Sequence, residues 1–109
     1  MDNEFIQKMV VLIEENLEEA SLTPDWVAEK LGLSKTQLYR KMKALSDQSV
    51  SELIKAVRMH RAAELLSAGE LTVSEISFKL GFSEQSNFSR SFYNHFGKYP
   101  TQYLKEKKP

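Results

Sequence analysis

The chain has 109 residues, with 15 acidic and 15 basic side chains and no cysteine. This length fits one domain, or two very small bodies that share one element, and the lack of cysteine excludes a disulfide framework and a thiolate metal site. No apolar run approaches the roughly 20 residues needed to span a bilayer, and the first residues lack the features of a secretory signal. We therefore expect a cytoplasmic protein without a membrane partner.

The net charge of zero hides a segregation of charge along the chain. Before residue 30, Lys8 is the single base among eight acids, whereas residues 30–61 carry eight bases and two acids. The final residues are basic again. Such clustering is typical of a surface that faces phosphate, but an ordinary solvated face gives the same pattern, so charge alone does not separate the two. The bases of the middle segment are Lys30, Lys35, Arg40, Lys41, Lys43, Lys55, Arg58 and Arg61.

The first part of the chain predicts two helices. Asp2–Leu17 has apolar residues at helical spacing, and the many acids outside that stripe argue against contact with a polyanion. Thr23 is the predicted N-cap of a short helix over Pro24–Leu31, with proline at the first helical position. Gly32 ends this helix.

Residues 34–45 predict the helix that matters most for function, with Ser34 as its N-cap. One side carries a narrow apolar seam, and the opposite side carries Thr36, Arg40 and Lys43, flanked by Gln37 and Tyr39. A short helix, a glycine turn and a second helix with such a face form the helix-turn-helix pattern. Arginine bonds to guanine and glutamine to adenine in the major groove, so this face suits base reading. The seam residues are Leu38, Met42 and Leu45.

Residues 49–67 predict a central helix whose apolar stripe changes sides halfway along. We interpret it as a rod of roughly 25 Å that joins two small helical bodies; the alternative is one buried helix with an irregular pattern. The first stripe consists of Val50, Leu53, Ile54 and Val57, and the second of Met59, Ala62, Ala63 and Leu66.

The remaining chain predicts a second pair of helices and a last short turn. Thr72 or Ser74 caps the first helix and Gly81 ends it, while Ser83 caps a helix that runs to about Phe96. The second helix has an apolar seam and, on the other side, polar residues with Tyr93. Gly97 stops it, and Tyr103 and Leu104 of the last turn are expected to pack back. The seam residues are Phe88, Phe92 and Phe96.

The two helix pairs are copies of one another. Residues 27–34, VAEKLGLS, align with residues 76–83, ISFKLGFS, so that Lys, Leu, Gly and Ser recur in place. With one extra residue in the second copy, Arg40 matches Arg90 and Met42 matches Phe92. An all-α protein with two groove-reading helices, over about 34–45 and 84–96, would read two successive major-groove segments, which lie about 34 Å apart.

These segments resemble the AraC/XylS-type helix-turn-helix DNA-binding domain. The resemblance rests on VAEKLGLSKTQLYRKMKALSDQSVSELIKAVRMHRAAELL and VSEISFKLGFSEQSNFSRSFYNHFGKYPTQYL. It implies about seven helices in one domain over residues 1–109, with a first unit at about 4–48, the linker helix at 49–67 and a second unit at 72–104. One departure is Asp47, which stands where the family usually has glycine and puts the sharpness of that turn in doubt.

The resemblance also implies a bacterial transcription regulator that binds double-stranded promoter DNA and contacts RNA polymerase. The stretches RKMKALSDQS and SVSELIKAVRMHRAAELL are similar to C-terminal output domains of hybrid two-component regulators. Sensor and receiver domains of a longer protein are therefore expected partners, and a stand-alone regulator of this size is the alternative. The isolated domain is expected to be a monomer associated with the nucleoid.

The candidate site residues fall into two groups. Expected phosphate contacts are Ser34, Lys35, Lys43, Arg61, Ser83, Asn94 and Lys98. Expected base contacts are Thr36, Gln37, Tyr39, Arg40, Gln85, Ser86, Asn87 and Arg90. Seven of them are implied by the family positions, and Gln37 is expected from its place on the helix face.

The sequence gives little support to catalysis. No carboxylate–histidine–nucleophile set recurs at useful spacing, and His60 with Glu64 supplies too few ligands for a metal. We expect neither enzyme activity nor a metal or cofactor. The serious alternative to DNA binding is a helical protein-interaction module that uses Arg40, Lys43 and Arg90 on its binding face.

Overall fold

A computed structural model describes residues 2–19 and 21–107, with side chains for 4–19 and 21–106. Every regular element in these ranges is an α-helix, which confirms the predicted all-α fold of about seven helices. Of the charges counted in the sequence, those of Asp2, Lys107 and Lys108 lie outside the described side chains. The helices are α1 (Asp2–Glu14), α2 (Pro24–Lys30), α3 (Lys35–Leu45), α4 (Val50–Ala68), α5 (Val73–Lys79), α6 (Gln85–Phe96) and α7 (Pro100–Lys107).

The described residues form two compact units. The first contains those of Met1–Asn16 and Ser21–Val57, and the second those of Leu17–Ala20 and Arg58–Pro109. Helix α4 therefore contributes its first half to one unit and its second half to the other. Each half buries its own apolar stripe, through Val50, Leu53 and Ile54 in the first unit and through Met59, Ala62 and Leu66 in the second.

The core of the first unit is built from the apolar stripes of α1, α2 and α3. Met9 and Ile13 of α1 are fully buried, and so is Val27 of α2. The predicted seam of α3 is buried at Leu38 and Met42, while Leu45 is half-buried at the helix end. Burial of one stripe per helix leaves the opposite face of α3 in solvent.

Helix α1 ends earlier than the sequence predicts, at Glu14 rather than at Leu17. The backbone N–H of Asn16 bonds to the carbonyl oxygen of Ile13, which is a tighter turn than the α-helical pattern. The Asn16 side chain donates to the carbonyl oxygen of Leu12 at 2.8 Å. An asparagine side chain that competes for backbone groups in this way favours a helix end over its continuation.

The core of the second unit contains a row of aromatic rings beside its aliphatic residues. Phe88 and Phe92 of α6 are fully buried, with ring centroids 5.9 Å apart, and Phe96 lies 4.6 Å from Phe92. Tyr103 of α7 packs edge-on against Phe92 at 5.5 Å. The predicted seam of phenylalanines is therefore core, and the last turn does pack back through Tyr103 as a full two-turn helix.

Helices α3 and α6 end in different ways. Gly97, after α6, has a left-handed φ of 76° and its N–H bonds to the carbonyl oxygen of Tyr93. After α3 the chain leaves through Ser46 in an extended conformation, and among the described residues only glycines have positive φ. The turn at Asp47 therefore does not require the left-handed geometry that an aspartate adopts less readily than glycine.

Candidate nucleic-acid interface

The turns between α2 and α3 and between α5 and α6 have the same hydrogen bonds. In the first turn, the N–H of Gly32 bonds to the carbonyl oxygen of Glu29 and that of Leu33 to Ala28. In the second, Gly81 bonds to Phe78 and Phe82 to Ser77. Both pairs form the Schellman arrangement, which needs a left-handed residue that glycine supplies; the φ of Gly32 is 71° and that of Gly81 is 87°. The internal repeat is thus confirmed in backbone hydrogen bonding.

The N-terminus of α3 is fixed by a capping box. The Oγ of Ser34 accepts from the backbone N–H of Gln37 at 3.1 Å, and the Oε1 of Gln37 accepts from the N–H of Ser34 at 2.8 Å. The same Gln37 is a candidate base contact. Bidentate recognition of adenine uses both the oxygen and the nitrogen of the amide, so Gln37 would have to leave its cap to read a base in that way.

The exposed face of α3 carries an aromatic residue and a cation that contact each other. Tyr39 is 62% exposed, and the Nζ of Lys43 lies 5.6 Å from its ring centroid and 3.5 Å from its hydroxyl oxygen. Arg40 is exposed, and its guanidinium has no hydrogen bond or ion pair with another described side chain. Lys35 at the start of the helix pairs with Asp25 of α2 at 3.1 Å.

A groove of about 360 Å³ lies beside α3 in the first unit. Leu38, Met42 and Val50 form its apolar floor, and its rim carries acidic residues as well as lysines. Because Asp25 and Asp47 lie on this rim beside the lysines, the groove itself is not a uniformly positive surface.

Helix α6 begins differently from α3. The sequence predicted Ser83 as its N-cap; this is wrong, because Glu84 is the cap residue and makes no side-chain capping bond. The extra residue of the second copy lies between its turn and its helix, which displaces the serine from the capping position. The four candidate base contacts on α6 are exposed: Gln85, Ser86, Asn87 and Arg90.

Several candidate phosphate contacts are engaged in surface ion pairs. Lys98 bonds to Glu106 of α7, and Arg61 bonds to Glu64 one turn along α4 at 3.3 Å. The Nε2 of His60 also lies 3.9 Å from a carboxylate oxygen of Glu64, and both side chains are exposed. Asn94 and Ser83 are exposed.

Neither a candidate metal site nor a helix that could cross a membrane occurs among the residues that the structure describes. In those residues no group of three or more histidine and acidic side chains is placed to hold a metal ion. No helix among them combines the length and apolarity that crossing a bilayer requires.

A helix-turn-helix domain family matches residues 27–106. The chain is 40% identical over 87 residues to the Msm operon regulatory protein of Streptococcus mutans, covering 80% of this chain and 31% of that protein. It is 33% identical over 100 residues to the regulatory protein SoxS of Salmonella typhimurium, covering 92% of each. It is 31% identical over 103 residues to a histidine kinase, P4, of Formosa agariphila, covering 94% of this chain. The chain spans only 8% of that kinase.

The fold of the chain also matches solved structures. The C-terminal domain of AraT, a response regulator from Geobacillus stearothermophilus, superposes with a TM-score of 0.85 at 33% identity. The match covers 93% of this chain and 84% of that domain.

Proposed function

The chain belongs to the AraC-type helix-turn-helix family, and from this we infer that it binds double-stranded DNA sequence-specifically in transcription regulation. One observation carries the proposal. Each of the two units contains the same hydrogen-bonded turn, followed by a helix with a buried apolar seam and an exposed polar face. A helix packed in this way has its outer face available for the major groove.

We assign base reading to the exposed faces of α3 and α6. Arg40 and Arg90 occupy matching positions of the repeat, and their guanidinium groups have no partner among the described side chains. An unpaired arginine at such a position suits bidentate bonding to guanine. The proposed base contacts are Thr36, Gln37, Tyr39, Arg40, Gln85, Ser86, Asn87 and Arg90.

The proposed phosphate contacts surround these faces. Lys35, Arg61 and Lys98 would exchange an acidic partner for a phosphate when DNA binds. Exposed ion pairs contribute only about 0–1 kcal/mol, so the exchange costs little compared with the counterion release that accompanies phosphate neutralisation. The full set is Ser34, Lys35, Lys43, Arg61, Ser83, Asn94 and Lys98.

Helix α4 is the proposed linker between the two DNA-reading units, which we place over about 4–48 and 72–104. The units would engage successive major-groove segments of one duplex. Because the two reading helices differ in sequence, a single chain would recognise an asymmetric site without forming a symmetric dimer.

RNA polymerase and the sensor and receiver domains of a two-component system are the proposed protein partners. The likeness to the C-terminal domain of a response regulator supports the second of these. We place this activity in the bacterial cytoplasm at the nucleoid, with the module acting as a monomer and requiring no cofactor or catalytic step.

A salt titration separates DNA binding from the alternative, a protein-interaction face built from the same basic residues. Binding through several phosphates makes the logarithm of the association constant fall linearly with the logarithm of salt concentration, by about 0.9 for each phosphate neutralised. We expect a steep line for promoter duplexes measured by fluorescence anisotropy. A shallow response, with weak binding to every duplex at low salt, would favour the protein-interaction module.

A further inference from the structure

Two exposed tyrosines are stacked at the C-terminal end of α6. Tyr93, in the third turn of α6, and Tyr99, just before α7, are 44% and 49% exposed. Their ring centroids lie 4.6 Å apart with an interplanar angle of 31°. A tyrosine combines an apolar ring, which packs against a neighbouring ring, with a hydroxyl that stays available for a polar partner.

The backbone of Tyr99 is held by two hydrogen bonds. Its N–H donates to the Oε1 of Gln102 at 3.1 Å, and its carbonyl oxygen accepts from the N–H of Tyr103 at 3.0 Å. The left-handed turn at Gly97 returns the chain toward α6. These bonds fix the backbone of Tyr99, and the contact between its ring and the Tyr93 ring restricts the rotamers of Tyr93, which reduces the side-chain freedom that Tyr93 would lose on binding a ligand.

Tyr93 lies on the same helical face as the proposed base contacts Ser86 and Arg90, because positions 86, 90 and 93 fall within about 60° of one another at about 100° per residue. It is about 4.5 Å further along the helix axis than Arg90. The N-terminal residues of a recognition helix reach the base edges, so a later residue on that face approaches the sugar–phosphate chain instead.

Resting on the proposed DNA-binding function, we propose that Tyr93, supported by Tyr99, is an uncharged phosphate contact at the outer end of the α6 surface. A tyrosine hydroxyl is one of the groups that donate hydrogen bonds to phosphate oxygens. The matching position of the first unit is Lys43, a cation. The two units therefore hold the DNA backbone differently at this position, the first by charge and the second by a neutral hydrogen bond.

The test measures the affinity of the whole chain for two duplexes over a series of salt concentrations. One duplex is selected from a random pool by its binding to the chain, and the other is unrelated in sequence. Tyr93→Phe keeps the stacked ring and removes the hydroxyl. We expect it to weaken binding to both duplexes alike, by about three- to tenfold, with no change in the salt slope, because no counterion is released at a neutral contact. Tyr93→Lys should steepen the slope by about 0.9.

Variants of Tyr99 separate positioning from contact. Tyr99→Phe, the matched control, should bind as the wild type does, whereas Tyr99→Ala should lose affinity with an unchanged slope. Unchanged binding by Tyr93→Phe would overturn the inference, and so would a loss confined to the selected duplex, which would make Tyr93 a base contact. Neither result touches the proposed function, which fails only if the wild-type chain itself binds no duplex with a steep salt slope.

Discussion

Arg58 donates a hydrogen bond from Nη2 to the backbone carbonyl oxygen of Glu19 at 3.3 Å. Its guanidinium also lies 5.9 Å from the ring centroid of Phe82, and its Nε is buried with no hydrogen-bond partner among the described residues. Burial lowers the pKa of Arg58. The arginine thus ties the segment that follows α1 into the second unit, at some cost in desolvation.

We expect Arg58→Ala to destabilise the protein by about 1–3 kcal/mol, because it removes the bond to Glu19 and the packing of the long side chain. Arg58→Met should cost less, since it keeps most of the packing and removes the unsatisfied Nε. Urea denaturation followed by circular dichroism measures both. Equal stability of Arg58→Ala and wild type would show that the contact contributes nothing.

Gly81 is predicted to tolerate substitution worse than Gly32, its counterpart in the repeat. Both have positive φ, which costs an alanine about 1–2 kcal/mol. A Cβ at Gly81 would also lie 2.9 Å from the carbonyl oxygen of Leu17, whereas one at Gly32 would meet nothing within 4 Å. Gly81→Ala should therefore lose about 1–3 kcal/mol more than Gly32→Ala in thermal or urea unfolding. Similar losses of stability in the two variants would mean that the backbone near Leu17 shifts at little cost to accommodate the added methyl group.

Substitution of the two matching arginines should reduce sequence discrimination. We expect Arg40→Ala and Arg90→Ala each to lose about 1–3 kcal/mol on the selected duplex and much less on an unrelated one. Competition binding with the two duplexes measures the difference. An equal loss on every duplex would remove the arginine concerned from the base contacts.

Lys43→Gln provides the matched comparison on α3. As a phosphate contact, it should weaken binding to all duplexes alike and reduce the salt slope by about 0.9. Loss of discrimination without a change in slope would instead assign Lys43 to a base.

The capping box of α5 should make stability depend on pH. The Oγ1 of Thr72 accepts from the N–H of Glu75, and the Glu75 carboxylate accepts from the N–H of Thr72. The hydrogen bond from the Thr72 backbone to the carboxylate, and after it the interaction with the Thr72 side chain, lowers the pKa of Glu75. A carboxyl whose pKa is lower in the folded state stabilises the protein above its unfolded-state pKa, and this contribution disappears as pH falls through the folded-state pKa.

Glu75→Gln keeps a capping acceptor, as Gln37 shows in α3, but removes the titration. Its unfolding midpoint in urea should therefore fall less steeply than that of the wild type as pH is lowered through the acid range. Parallel pH profiles would contradict the linkage.

The sequence predicts well what depends on local pattern. Helix identities, the glycine turns and the buried seams follow from spacing, because each helix must bury one stripe. Two helix boundaries were missed. Helix α1 ends early at Glu14, where the Asn16 side chain competes for the backbone, and α6 has Glu84 as its cap in place of Ser83 because the second copy contains an extra residue. The role of Arg58 was missed as well, since its partners, Glu19 and Phe82, come from distant parts of the chain. Signals for these were weak: Arg58 resembles any other base in a basic segment.

The most direct test of the account is selection of bound sequences from a random duplex pool with the wild-type chain and with Arg40→Ala and Arg90→Ala. We expect an asymmetric site with two blocks about one helical turn, 10–10.5 base pairs, apart. Each variant should lose preference within one block only, a different block for each. A single block, or loss of the same block in both variants, would contradict the claim that the two helices read neighbouring segments of one duplex.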